Sequence, residues 1–272
     1  MFVFRALASG SSGNAYLLRT DHVNLLFEAG LKMPALSRGL ATEGLTLDGL
    51  SAILISHEHR DHCLSAQDLA AKHRLPVCAN AEVLRAIGLH DDAHSEALGV
   101  GRSVLFGDVE VNTFPVAHDS VCPVGFLIHA QGRVIVLATD LGGASAEVTE
   151  AVEQSDLVVL EANHDREMLL HGPYPYQLRK RVAGPTGHLS NSQAATILVR
   201  HVRNDRVEVW LAHLSKQNNS PAMALKTVTR SLKAVGLGAV YVGVAERDRA
   251  SLRWTGLTRP RQLSLFNAMD GV

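Results

Sequence analysis

Cysteine is scarce in this 272-residue chain: Cys63, Cys78 and Cys122 are the only three, and no two form a Cys-x-x-Cys pair. This speaks against a disulfide framework and fits reduced thiols in a cytoplasmic protein. No apolar run approaches the ~20 residues that cross a bilayer. The opening Met1-Phe2-Val3-Phe4-Arg5 lacks the charged, apolar and small-residue segments of a signal peptide, so no membrane association is expected. Excess charge is also missing. Lys+Arg total 26 and Asp+Glu 27, a formal net charge of -1, so no overall cationic field draws the chain to nucleic acid or anionic lipid. The balance is uneven, however: residues 203–272 carry 11 Lys/Arg against 5 Asp/Glu, a weak pointer to a phosphate-rich partner. No Gly-Lys-Ser/Thr follows the glycine-rich Ser9-Gly10-Ser11-Ser12-Gly13-Asn14. That stretch is therefore no phosphate-cradling P-loop, and it reads as a tight hairpin whose amides could face a site.

With 46% hydrophobic and 19% charged residues, the chain can bury a real core. Short β-branched or apolar runs bounded by turn residues predict strands at 2–7, 15–19, 23–27, 52–56, 109–116, 124–128, 134–138, 157–160, 207–212 and 239–244. Helical spacing predicts helices at 65–73, 82–87, 145–153, 190–202 and 221–235, the last opening with Pro221 just after Ser220. This order suits two sheets packed together and covered outside by helices, a layered α/β domain over residues 1–246. Residues 247–272 lose periodicity and read as a partly ordered tail.

Histidine is abundant, at 14. Four candidate ligands crowd into His57-Glu58-His59-Arg60-Asp61-His62, directly after the apolar strand Ala52-Ile53-Leu54-Ile55-Ser56. At a strand end, residues two apart point the same way, so His57 and His59 can grip one ion. A helix beginning near residue 64 would turn Asp61 and His62 toward a second. His118, Asp140 and His213 each follow a predicted strand. Alone, each is more readily a hydrogen-bonded core or loop residue. Together with the cluster they look like ligands delivered to one sheet edge. All are N or O donors, which allows Zn²⁺ or Mn²⁺.

His57-x-His59-x-Asp61-His62 followed by His118, Asp140 and His213 resembles the metallo-β-lactamase superfamily of dinuclear metallohydrolases, whose fold is a four-layer αββα sandwich. Ser9–Asn14, Glu161-Ala162-Asn163-His164-Asp165, Gly187-His188-Leu189-Ser190-Asn191 and the segment from His213 to Asn219 resemble its YycJ/WalJ-like branch. That branch is associated with 5′→3′ exonuclease activity on DNA, and the resemblance spans about residues 2–245. It implies two divalent cations, one on His57, His59 and His118, the other on Asp61, His62 and His213, with Asp140 bridging. Phe27-Glu28-Ala29-Gly30 departs from the family pattern, which has Asp before Ala-Gly. That acid supports a ligand rather than binding metal, and Glu28 can do so through a longer arm.

The placement of Glu161 and His188 resembles the acidic and histidine motifs of β-CASP nucleases and tRNase Z, although the large β-CASP insertion is absent. The resemblance implies that Asp61 orients or deprotonates the attacking water while His188, supported by Glu161, assists the leaving oxygen. Without it, Glu161 reads as a strand-end ion pair and His188 as a loop hydrogen bond. His164 lies close enough to Glu161 in sequence to line the pocket. Arg179, Lys180 and Arg181 form a basic run that either contacts a nucleic-acid backbone or is the exposed face of a short helix. Tyr174 and Tyr176 either stack on an unpaired base or pack against their loop.

Near the end, Gln262-Leu263-Ser264-Leu265-Phe266 resembles the peptide by which bacterial replication and repair proteins dock on the DNA polymerase III β sliding clamp. Gln262, Leu263, Leu265 and Phe266 would be its anchors; the alternative is a terminal strand covering the core. The resemblance as a whole implies a DNA exonuclease acting in repair. A small-molecule hydrolase of the same fold, acting on a cyclic phosphodiester or thioester, is the competing reading.

Overall fold

A computed structural model describes residues 1–257. The first sheet takes β1 (Val3–Ala8), β2 (Ala15–Arg19), β3 (Asn24–Phe27), β4 (Ala52–Leu54), β5 (Val77–Ala79) and β6 (Ser95–Ala97). The second takes β7 (Ser103–Phe106), β8 (Val109–Pro115), β9 (Val124–Ala130), β10 (Arg133–Ala138), β11 (Leu157–Glu161), β12 (Glu208–Ala212) and β13 (Tyr241–Val244). The two-residue β14 (Arg253–Trp254) then returns to the first sheet. Strand orders are β14-β1-β2-β3-β4-β5-β6 and β13-β12-β11-β10-β9-β8-β7. Helices α1 (Met33–Ala41), α2 (Arg60–Cys63), α3 (Ala66–His73) and α4 (Ala81–Ala86) connect strands of the first sheet. Helices α5 (Ala146–Gln154), α6 (Arg166–His171), α7 (Tyr176–Val182), α8 (Asn191–His201) and α9 (Pro221–Ala234) follow in the second half.

The inner faces of the two sheets meet in an aromatic core. Phe27 meets Phe126 edge-on at 5.3 Å between ring centroids, and Phe4 approaches Trp210 at 5.7 Å; such pairs add ~0.5–1.5 kcal/mol beyond area burial. The outer face of the first sheet packs Leu17, Leu26 and Ile53 on Leu36, Leu40 and Leu69 of α1 and α3. The outer face of the second packs Val136, Val158 and Val209 on α5, α8 and α9 through Val148, Leu198 and Val228. These four layers are the αββα sandwich anticipated from the sequence.

Local signals explain the strongest helices. The Ser190 side chain accepts from Gln193 N while Gln193 Oε1 accepts from Ser190 N, a capping box that starts α8. Ser220 caps α9 with Pro221 in its first turn, where the missing N–H costs nothing. The chain stays in the fold beyond residue 246. Phe4 pairs with Trp254 and Arg5 with Arg253, and Trp254 is buried. The expected boundary thus falls before a strand too short to show any periodicity. Residues Gln262, Leu263, Leu265 and Phe266 lie outside the described residues.

Strand polarity positions the site. β3 and β4 run parallel, as do β10, β11, β12 and β13. Their C-terminal ends open on one rim, the edge where parallel sheets place ligands.

Candidate metal centre

Five strand ends deliver side chains to this rim. Glu28 follows β3, His57 follows β4 by three residues, Asp140 follows β10, Glu161 closes β11, and His213 follows β12. His118 arrives from the second sheet after β8, while His59 caps α2, which carries Asp61 and His62. Glu28, Asp140 and His213 adopt left-handed φ values of 66°, 59° and 52°. Such a conformation is unusual for non-glycine residues and clusters where function demands it. Each turns the chain sharply as it leaves its strand, at the point where its side chain joins the cluster.

The seven expected ligands converge. Ligand atoms of His57, His59 and His118 lie within 4.8 Å of one another, as do those of Asp61, His62 and His213, and those of His57, His62 and Asp140. Asp140 sits between the two groups: Oδ2 is 3.1 Å from His62 Nε2, and Oδ1 is 3.7 Å from His118 Nε2. Asp61 Oδ2 stands 3.4 Å from His213 Nε2 and 3.6 Å from His62 Nε2. His57 Nε2 is buried with no hydrogen-bond partner, and His213 Nε2 and Asp140 Oδ2, also buried and without a well-aligned hydrogen bond, face only other donors of the cluster. Unpaired buried polar atoms are costly. Three of them converging in one cluster of N and O donors fit divalent cations.

Electrostatics agree with that fit. The carboxylates of Glu28, Asp140 and Glu161 are almost wholly buried, and that of Asp61 is largely so. Burial opposes charge on His213, yet Asp140, Asp61 and Glu161 outweigh it and raise its pKa to about 10. His62 is likewise raised against burial by Asp140 and Glu28. His57, by contrast, is pushed well below its ordinary value by burial and by His62. The carboxylates thus demand positive charge at their centre, which protons on His62 and His213 or metal cations can supply.

A second layer of contacts orients the ligands. Glu28 Oε2 is 3.3 Å from His62 Nδ1 and accepts from Ser56 N, so the longer acid reaches its ligand. Ser56 Oγ lies 2.9 Å from His57 Nδ1, and the Gly187 carbonyl 3.2 Å from His118 Nδ1. Asn14 Nδ2 approaches His62 Nε2 at 3.0 Å, and His213 N donates to Ser9 Oγ. Glu58 ties the ligand loop to the His118 loop by accepting from Ser120 Oγ at 2.6 Å. Sequence reasoning missed the side-chain roles of Asn14, Ser9, Ser56 and Glu58. Only Asn14 and Ser9 carried a signal, as part of the glycine-rich stretch.

Glu161 and His188 meet beside the cluster. Glu161 Oε1 lies 2.8 Å from Nδ1 of His188 and 2.8 Å from Nδ1 of His213, while Oε2 accepts from Leu141 N and Leu189 N. Burial pushes Glu161 up, but His188 and His213 outweigh it and bring the carboxyl down to about 2. Burial resists charge on His188, and Glu161 overcomes it, raising the imidazole. His188 opens onto a cavity of about 240 Å³ lined also by Ser11, His59, Asp61, His118, Asp140, Tyr174 and Arg181.

The basic run divides. Arg181 faces this cavity and pairs with Asp119 at 2.8 Å. Arg179 and Lys180, with His164, line a separate cavity on the other side of α7. Burial pushes His164 down to about 4. Among the described residues no helix is long and apolar enough to cross a membrane.

The family described as "Beta-lactamase superfamily domain" matches residues 23–209. The chain is 35% identical over 243 residues to exodeoxyribonuclease WalJ of Streptococcus pneumoniae, covering 87% of this chain and 90% of that protein. It is 35% identical over 239 residues to exodeoxyribonuclease YycJ of Bacillus anthracis, covering 86% and 90%. In structure it is similar to the metallo-beta-lactamase fold protein YhfI of Bacillus subtilis, with a TM-score of 0.69 at 17% identity over 93% of this chain and 99% of the other. The layers, the rim of converging donors and these similarities together make the chain a metal-dependent hydrolase of the metallo-β-lactamase superfamily, in the branch of WalJ and YycJ.

Proposed function

We propose that this protein is a dinuclear exodeoxyribonuclease that degrades DNA 5′→3′ in repair. The observation that carries the reading is the placement of His188. Its ring is fixed by Glu161 and shares one cavity with the ligand cluster. A protonated imidazole there can give its proton to the departing oxygen of a phosphodiester. The exodeoxyribonucleases WalJ and YycJ, similar to this chain over most of its length, supply the substrate class.

His57, His59 and His118 would hold one cation and Asp61, His62 and His213 the other, with Asp140 between them. When bound, two Zn²⁺ or Mn²⁺ ions supply Lewis acidity at the phosphoryl oxygens and lower the pKa of water. The Asp61 carboxylate is 23% exposed, more than the other acids of the cluster, and faces the cavity, where it can orient the attacking water or take its proton. Arg181, at the cavity wall, contacts a backbone phosphate; His164, Arg179 and Lys180 bind a more distant part of the substrate.

Purified protein incubated with 5′- and 3′-labelled single- and double-stranded DNA in each divalent metal tests this reading. Laddering from the 5′ end that disappears in His59→Ala is expected. Inertness toward DNA alongside turnover of bis-p-nitrophenyl phosphate or a thioester would replace it with a small-molecule hydrolase.

The tail residues Gln262, Leu263, Leu265 and Phe266 dock on the β sliding clamp, which delivers the enzyme to DNA in the cytoplasm. Cys63, Cys78 and Cys122 are unpaired thiols, as a reducing compartment keeps them. Deleting residues 262–266 is expected to abolish retention on immobilised clamp while free oligonucleotides are still degraded. Undiminished retention would remove the clamp from the account.

A further inference from the structure

Helix α7 separates two cavities. One face, with Leu178, Arg181 and Val182, lines the cavity beside the metal ligands. The other, with Tyr176, Arg179 and Lys180, lines a larger space of about 540 Å³ against α6. That volume falls in the ~300–1,000 Å³ range of small-molecule sites. The two rims nearly touch: Tyr174 borders the first cavity and Tyr176 the second, with Pro175 alone between them. Two residues of chain span about 7 Å at most, so the two rims are neighbours.

The lining of the second cavity is specific. Leu169 and Leu170 give it an apolar wall, and Tyr176, 66% exposed, offers a free ring at its edge. Arg166 and Lys180 add positive charge and Glu167 one negative charge, which leaves the lining cationic with Arg179. His164 lies in the lining at 2% exposure, and its Nδ1 is buried with no hydrogen-bond partner. Arg179 donates to the Leu170 carbonyl, fixing α7 against the end of α6. A purely aliphatic ligand would use the apolar wall but leave His164 unpaired and the cations idle. A nucleotide matches all three features, with a flat face for the tyrosine, polar edge atoms for the imidazole and phosphates for Arg166 and Lys180.

We propose that the pocket between α6 and α7 holds the base of an uncut nucleotide of single-stranded substrate, stacked on Tyr176 and hydrogen-bonded by His164. The proposal rests on the nuclease reading and adds to it a second binding position next to the cleavage site. It makes Tyr176 a determinant of how substrate length affects affinity.

Two measurements on the full-length protein test it. In the first, KM is compared for a dinucleotide and for single strands of three to six nucleotides, in wild type and Tyr176→Ala. Base–aromatic stacking is strong enough for the longer strands to show KM about tenfold lower in wild type, and Tyr176→Ala should lose that gain. A length effect identical in the two proteins would overturn the proposal. The second needs no turnover. Metal-free protein is irradiated with a single strand carrying 5-iododeoxyuridine, and adducts are located by mass spectrometry. Adducts on Tyr176 itself support the pocket, and adducts elsewhere, Tyr174 included, or none overturn it. If wild type degrades no DNA, the nuclease reading fails by itself, and cross-linking still decides whether the pocket takes a base.

Discussion

Glu161 and His188 meet at 2.8 Å through Oε1 and Nδ1, joining the end of β11 to the loop that precedes α8. The same oxygen lies 2.8 Å from His213 Nδ1, so one buried carboxylate serves both a metal-ligand candidate and a proton-donor candidate. Its raising of the His188 pKa has a definite kinetic sign. A donor acts while protonated and stops as pH rises through its pKa. Glu161→Gln should therefore move the alkaline limb of the kcat profile to lower pH and reduce kcat about 10²-fold at pH 8. The Gln oxygen would keep the Leu141 and Leu189 amides, turning its NH₂ toward His213 Nδ1. That forces the proton onto His213 Nε2 and costs the second metal. Metal stoichiometry and pH–rate profiles check both effects, and an unshifted limb would remove His188 from the proton-donor role.

Glu28 makes a separate prediction. Its carboxylate, 3.3 Å from His62 Nδ1, holds a proton on that nitrogen, so Nε2, on the Asp140 side, is the one that gives up its proton to a cation. Glu28→Gln keeps the shape and removes the charge. Loss of such a supporting partner typically weakens metal affinity 10–100-fold. Chelator competition should show this loss, with kcat largely restored at saturating metal. Unaltered affinity would mean that Glu28 only fills space.

What could be read in the sequence, and what could not, follows from how each contact is made. The His57–His62 run was legible because its donors are consecutive and emerge from an apolar strand, and His118, Asp140 and His213 because each follows a β-branched run. Ser56 and Asn14 have unremarkable residue types and reach their histidines only through the turn geometry. The left-handed φ of Glu28, Asp140 and His213 left no mark, since none is glycine. Strand β6 escaped notice because Ser95–Ala97 is an exposed edge with no alternating pattern. Helix α1 was hidden by Pro34 and Gly39 inside its span. The basic run at 179–181 was visible as charge, but only the packing of α7 showed that its members face two different cavities.

Two adjacent glycines after Asp140 offer a test of the loop that carries it. A Cβ on Gly142 would lie 2.0 Å from the Pro185 carbonyl oxygen, whereas one on Gly143 meets nothing within 4 Å. Gly142 N also donates to Ala117 O at 2.7 Å, so this loop is fixed between the His118 and His188 segments. Gly142→Ala must displace one of them, with an expected loss of about 2–3 kcal/mol and of metal binding. Gly143→Ala should stay within about 0.5 kcal/mol of wild type. Denaturant melts of the pair decide it; equal stabilities would mean that the close approach to Pro185 has no structural weight.

Metal binding and protonation should compete at His62 and His213. Without metal both carry raised pKa values, His213 to about 10, because burial is outweighed by the surrounding carboxylates. At pH 8 His213 is therefore protonated in the metal-free protein, and it must lose that proton to coordinate through Nε2. Cation uptake should release protons into solution, and affinity should fall as pH is lowered from 8 to 6. Calorimetry in buffers of different ionisation enthalpy measures the release directly. The metal-free fold has the matching linkage. A group with a raised folded pKa contributes stability fully below its unfolded value, near 6.5, and loses it as pH climbs toward 10. The metal-free protein should therefore lose stability across that interval, and bound metal should flatten the loss. Uptake without proton release would show that the histidines are already neutral before the metal arrives, and that the buried carboxylates are balanced in some other way.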